Sequence, residues 1–104
     1  MYLGKVIGSV VSTKKDESMR GRKLLMVRPL LIDPTDPSKF KPGSNTIVAV
    51  DTVGAGEGEY VMFSQGSSAR QADGLKQLPV DAAIVGLVDT VSIEGKKMFE
   101  AKNS

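Results

Sequence analysis

The chain has neither histidine nor cysteine. The commonest general base, the commonest transition-metal ligand and the thiolate nucleophile are therefore missing. No disulfide framework and no thiolate metal site can form. Carboxylate, hydroxyl, amine and backbone chemistry remain. The acids Asp51, Glu57, Glu59, Asp81 and Asp89 could in principle form a carboxylate or metal cluster. Their spacing matches no EF-hand loop. Asp51 and Asp89 stand at matching places near strand ends, where turn and capping roles are common.

Two further segments could do chemistry. Gly54-Ala55-Gly56-Glu57-Gly58-Glu59 looks superficially like a phosphate cradle. A dinucleotide loop needs Gly-x-Gly-x-x-Gly after a strand and opening a helix. Here the third glycine comes one residue early, the next residues are strand-like, and Glu57 and Glu59 would repel a pyrophosphate. A structural turn is the better reading. Gly66-Ser67-Ser68-Ala69-Arg70 could offer a serine nucleophile, but serine needs an adjacent base. No histidine exists, and no Ser-x-x-Lys spacing is present here. The segment reads as a helix cap followed by an arginine available for an ion pair across a subunit contact.

The elements around these residues are strands. Tyr2 to Thr13 alternates with period two, and Gly4 and Gly8 share one face. Glycines so placed allow the bending that small barrels require. Leu24 to Ile32 is a second strand, apolar on both faces, with Pro29 marking an edge or a bulge. Asp33 to Asn45, with Pro34, Pro37, Pro42 and Gly43, reads as one long surface loop. Thr46 to Val53 and Glu59 to Gln65 are the third and fourth strands. Gly66 to Gly74 reads as a very short helix, and Ala82 to Ile93 as a fifth strand. Glu94-Gly95 turns the chain into a short final strand over Lys97 to Ala101. The tetrapeptide Val-Asp-Thr-Val recurs at 50–53 and 88–91 without flanking similarity, so it marks no duplication.

Taken together these elements predict an all-β fold: one domain over 1–104, a small five-stranded OB-like barrel with one short helix and a C-terminal β-hairpin. A chain of 104 residues builds one modest core. The net charge of +2 is too small to argue for nucleic acid. The start, Met1 to Val6, lacks the pattern of a secretory signal, and no apolar run is long enough to span a bilayer. A cytoplasmic location is therefore expected, with no membrane partner.

A barrel this small has one interior. The outward apolar residues of Leu24 to Ile32 need another partner, and a copy of the same chain is the simplest. An OB-like barrel also raises single-stranded nucleic acid as an alternative, which would need aromatic platforms in a basic groove. Tyr2, Phe40, Tyr60, Phe63 and Phe99 do not interleave with Lys or Arg along one strand. Lys5, Lys14, Lys15, Arg20, Arg22 and Lys23 give the first hairpin a basic character that a solvated surface explains.

Along nearly its whole length the chain resembles the EutN/CcmL family of bacterial microcompartment vertex proteins. The resemblance rests on Leu3 to Thr13, Lys23 to Val27, Ala49 to Glu59, Gly66 to Ala72 and Pro79 to Asp89, in that order and spacing. It implies a homopentamer that caps the five-fold vertices of a shell whose facets are hexameric shell proteins. No enzyme activity, cofactor, metal or nucleic acid is implied. It also implies that Gly54, Ala55, Gly56, Glu57, Gly58 and Glu59, with Gly66, Ser67, Ser68, Ala69 and Arg70, lie at subunit contacts and the central opening. Glu57 or Glu59 would be the partner of Arg70 from the next copy.

Overall fold

The computed structural model describes residues 1–12, 21–66 and 81–101. Among them the chain runs through β1 (Tyr2–Val10), β2 (Leu24–Ile32), β3 (Phe40–Pro42), β4 (Ile47–Asp51), β5 (Tyr60–Gln65), β6 (Ala82–Leu87), β7 (Thr90–Ile93) and β8 (Lys96–Glu100). The main sheet has the order β1-β5-β6-β4-β2-β3, and β1 also pairs with β2. That last pairing closes β1, β5, β6, β4 and β2 into a five-stranded barrel. Neighbours are antiparallel except β4 and β6, which run parallel. The strands β7 and β8 form a separate hairpin.

Period-two patterning decides what faces inward. Val6, Leu25, Val27, Ala49, Ala55, Val61, Phe63, Ala82 and Ile84 form the core, with Ile47 packed against it. Fully burying a Val, Leu, Ile or Phe side chain stabilises by about 1.5–3 kcal/mol. Gly4 lies on the same inner face, where a Cβ would come within 2.5 Å of Val27 Cγ1 and 2.9 Å of Phe63 Cε1. The wall of the barrel therefore requires glycine at this place. Bulges between Val6 and Gly8 and between Met62 and Phe63 supply the local bend and twist that closure demands. The first turns Gly8 to the outer wall, opposite Gly4, instead of leaving both glycines on one face as unbroken alternation predicts.

The barrel and the terminal hairpin match the sequence expectation, and several boundaries change. The first strand stops at Val10 rather than Thr13. The stretch Asp33 to Asn45 is not one irregular loop. Its later part, β3, pairs with Leu30 to Ile32. Its earlier part is two stacked turns, in which Asp33 accepts from Thr35 and Asp36 accepts from Ser38. Pro42 is tolerated because β3 ends the sheet order. Pro29 sits where β2 changes neighbour from β4 to β3, and its carbonyl accepts the Gly43 N–H at 2.8 Å. The span Ala82 to Ile93 is two strands, split at Val88-Asp89, where the chain leaves the barrel for the hairpin. The Glu94-Gly95 turn has both residues at positive φ, 52° and 79°, the geometry of a tight two-residue hairpin. No α-helix occurs among the described residues. The helix expected over 66–74 lies, apart from Gly66, outside them.

Candidate functional site

The connection from β4 to β5 is built around one carboxylate. Asp51 ends β4, and its side chain is only 2% exposed. Its Oδ1 accepts the Val53 N–H at 3.1 Å and its Oδ2 accepts the Ala55 N–H at 2.9 Å. Lys23, the residue just before β2, closes the arrangement. Its Nζ donates to the Ala55 carbonyl at 2.5 Å and stands 3.8 Å from Asp51 Oδ2. Asp51 is thus a turn-organising acceptor, the capping role its strand-end position suggests.

The rest of the loop is laced to the barrel. Gly58 donates to the Val6 carbonyl at 2.8 Å, and Val6 donates back to the Glu59 carbonyl at 2.9 Å. Glu59 folds over its own loop, so that Oε1 accepts the Gly56 N–H at 2.6 Å. Gly54 and Gly58 have φ of 80° and 90°, values that L side chains rarely adopt. Ala55 is fully buried, whereas Gly54, Glu57, Gly58 and Glu59 are exposed. The loop therefore presents a fixed backbone and two acids to solvent. It is not a phosphate cradle: it leads into strand β5 rather than a helix, and its Ala55 and Gly56 N–H groups are already taken by Asp51 and Glu59.

Gly66 follows β5 with φ of 70°, and its N–H donates to the Asp81 carbonyl at 2.7 Å. Ser67, Ser68, Ala69 and Arg70 lie outside the described residues, so the Arg70 pairing is left as an expectation. Of the remaining acids, Asp81 and Asp89 are exposed. Among the described residues no group of three or more His, Cys, Asp or Glu could hold a metal ion.

The aromatic residues form contacts with one another. Tyr60 stacks on Phe99 at 3.8 Å between centroids, Phe40 tilts against Tyr60 at 6.0 Å, and Tyr2 stacks on Phe63 at 5.5 Å. Lys5 Nζ lies 5.7 Å from the Tyr60 ring centre. These rings pin the hairpin and β3 to the barrel, a use that composition alone did not reveal.

The outer wall carries apolar rows that reading the strands singly could not assemble. Gly8, Met26 and Val48 stand side by side across β1, β2 and β4. Leu3, Met62 and Gly86 do the same across β1, β5 and β6. Val48 is 49% exposed and Met62 39%.

A family model described as ethanolamine utilisation protein EutN/carboxysome matches residues 1–89. The chain is 57% identical over 91 residues to the bacterial microcompartment shell vertex protein GrpN of Rhodospirillum rubrum, covering 88% of this chain and 96% of that protein. It is 43% identical over 103 residues to the carboxysome shell vertex protein CcmL of Gloeobacter violaceus, covering 99% and 97% respectively. The solved structure of that CcmL superposes with a TM-score of 0.83 at 43% identity, covering 99% of this chain and 100% of the other. A solved structure of the Rhodospirillum rubrum GrpN, described as a pentameric microcompartment shell protein, superposes with a TM-score of 0.74 at 54% identity. It covers 89% of this chain and 100% of the other. The β7–β8 hairpin lies beyond the residues that the family model matches.

Proposed function

The chain belongs to the EutN/CcmL family, and we propose that it is a structural shell protein: a homopentamer that caps the five-fold vertices of a bacterial microcompartment. A flat lattice of six-fold tiles cannot close on itself, and five-fold units supply the missing curvature. The task is geometric. It needs a body of fixed outline, and the closed five-stranded barrel provides one. The observation that carries this reading is the likeness, over nearly the full length, to shell vertex proteins from several compartments, one of them solved as a pentamer.

In this reading the chain is not an enzyme and acts as one domain over 1–104. Its partners are copies of itself and hexameric shell proteins, within the cytoplasm. The Gly54 to Glu59 loop and the Gly66 to Arg70 segment lie at the subunit contacts or the central opening. The fixed glycine-rich backbone suits the close approach of a neighbouring chain. Arg70 pairs with the exposed Glu57 or with Glu59 of the next copy.

Native mass of the purified protein, followed by mixing with a hexameric shell protein, tests the proposal. A discrete five-copy species that closes sheets of tiles into polyhedra is the expected result. A chain that stays single at every concentration overturns it. For the ion pair, Arg70→Ala should weaken the ring and change its response to salt; an unaltered ring would remove that pair from the account.

A further inference from the structure

We propose that each contact in the ring lays the Gly8–Met26–Val48 row of one copy against the Leu3–Met62–Gly86 row of the next. The inference rests on the five-copy reading above and adds which surfaces meet. Five identical copies around one axis cannot use a single self-complementary patch, because such a patch makes a pair and stops. Every contact must join two different surfaces of the same chain. Among the described residues the barrel wall carries two apolar rows of this kind, one centred on β2 and one centred on β5, on either side of β1.

The rows are separate surfaces. Lys5 and Arg28 stand opposite each other across β1 and β2, and Lys5 also pairs with Tyr60 on β5. This polar ridge keeps the two rows from merging into one patch. Their shapes also differ in a complementary sense. At Gly8 the wall is hollow, and a Cβ there would meet nothing closer than Met26 Sδ at 3.8 Å. At Gly86 the equivalent space is already covered by Met62, whose Cε would lie 2.7 Å from a Cβ. One row thus offers a dent beside a methionine and the other offers a methionine standing on the wall. Methionine is unbranched and polarizable, so it adapts to such a dent. The two rows are half-exposed in the single chain, which suits surfaces that await a partner.

The absence of cysteine makes the test clean. Met62→Cys and Val48→Cys are placed in separate chains and together in one chain, and each preparation is treated with a short thiol-to-thiol cross-linker. Both positions are exposed, so the fold tolerates them. The doubly substituted ring should give a ladder that ends at five chains. Each singly substituted protein should remain uncross-linked, because its thiols never face each other. A ring of five that fails to cross-link through the double variant overturns the pairing of rows, as does either single variant linking to itself. A second variant, Gly8→Phe, fills the dent from outside and should abolish the ring while the circular dichroism of the barrel is retained; an intact five-copy ring carrying Gly8→Phe also overturns the proposal. Failure of the unsubstituted chain to form five-copy species would instead remove the vertex reading on which the inference stands.

Discussion

Asp51 satisfies two backbone donors of the loop that follows it and is itself met by Lys23. Replacing it with alanine leaves the Val53 and Ala55 N–H groups without an acceptor, and the Ala55 group lies in the interior. Asp51→Ala should therefore lower stability by about 1–3 kcal/mol. A urea titration would read this as an earlier midpoint at unchanged slope. At the same scale, Asp33 and Asp36 are held below the usual carboxylate value. The Thr35 hydroxyl and then its N–H do this for Asp33, and the Ser38 hydroxyl and then its N–H do it for Asp36. Because the folded values are depressed, these turns are at full strength above the ordinary carboxylate range and loosen as pH falls through the lowered values. A carboxyl-carbon NMR titration should place both midpoints below that of free aspartate, and Thr35→Ala should raise the Asp33 midpoint. The capping role of Asp51 could be read from its place at a strand end. Its partner could not, because Lys23 enters from the residue just before β2, far away in sequence, and no local pattern links the two.

The elements were legible where the pattern was strong. In the sequence, strand β2 is preceded by a charged stretch and followed by Asp33-Pro34, and the structure keeps the bounds Leu24–Ile32. Strand β3 was hidden because Phe40-Lys41-Pro42 has little strand character of its own, and tertiary pairing with Leu30 to Ile32 makes it a strand. The break after Leu87 was hidden for the opposite reason. The run from Ala82 to Val88 has no polar side chain, and Asp89, Thr90 and Ser92 beyond it still alternate with Val91 and Ile93 in a strand pattern, so the sequence shows no clear stop. The loop from Gly54 to Glu59 was recognisable as a turn from its glycines, but its lacing to β1 depends on closure of the barrel. The β7–β8 hairpin meets the barrel through Phe99 stacked on Tyr60 and through the Val88 N–H donated to the Tyr60 carbonyl at its root. Such aromatic pairs contribute about 0.5–1.5 kcal/mol beyond the area they bury. Phe99→Ala should free the β7 and β8 amides to exchange with solvent much faster while those of β1, β5 and β6 keep their protection. Hydrogen exchange read by mass spectrometry would show whether hairpin and barrel open separately.

At the scale of the whole molecule, the interior is small and part of the apolar surface lies on the outside wall. Stability is therefore shared between the chain and its ring. Since the ring binds only folded copies, the melting temperature should rise with protein concentration. Calorimetry across a dilution series checks this, and a constant value would mean that the copies melt independently. The parallel contact between β4 and β6, in which Val50 meets Ala83 and Asp51 meets Ile84, has a consequence in time. While the chain is being made, β4 can pair with β2 as soon as it emerges, yet its far side stays bare until β6 has been synthesised. Until then the wall is open, and the row that needs Gly86 does not exist. A nascent chain thus carries at most one of the two proposed joining surfaces. Recruitment into a ring waits until β6 has been made and has closed the wall, so the order of residues along the chain also sets the order in which folding and assembly take place.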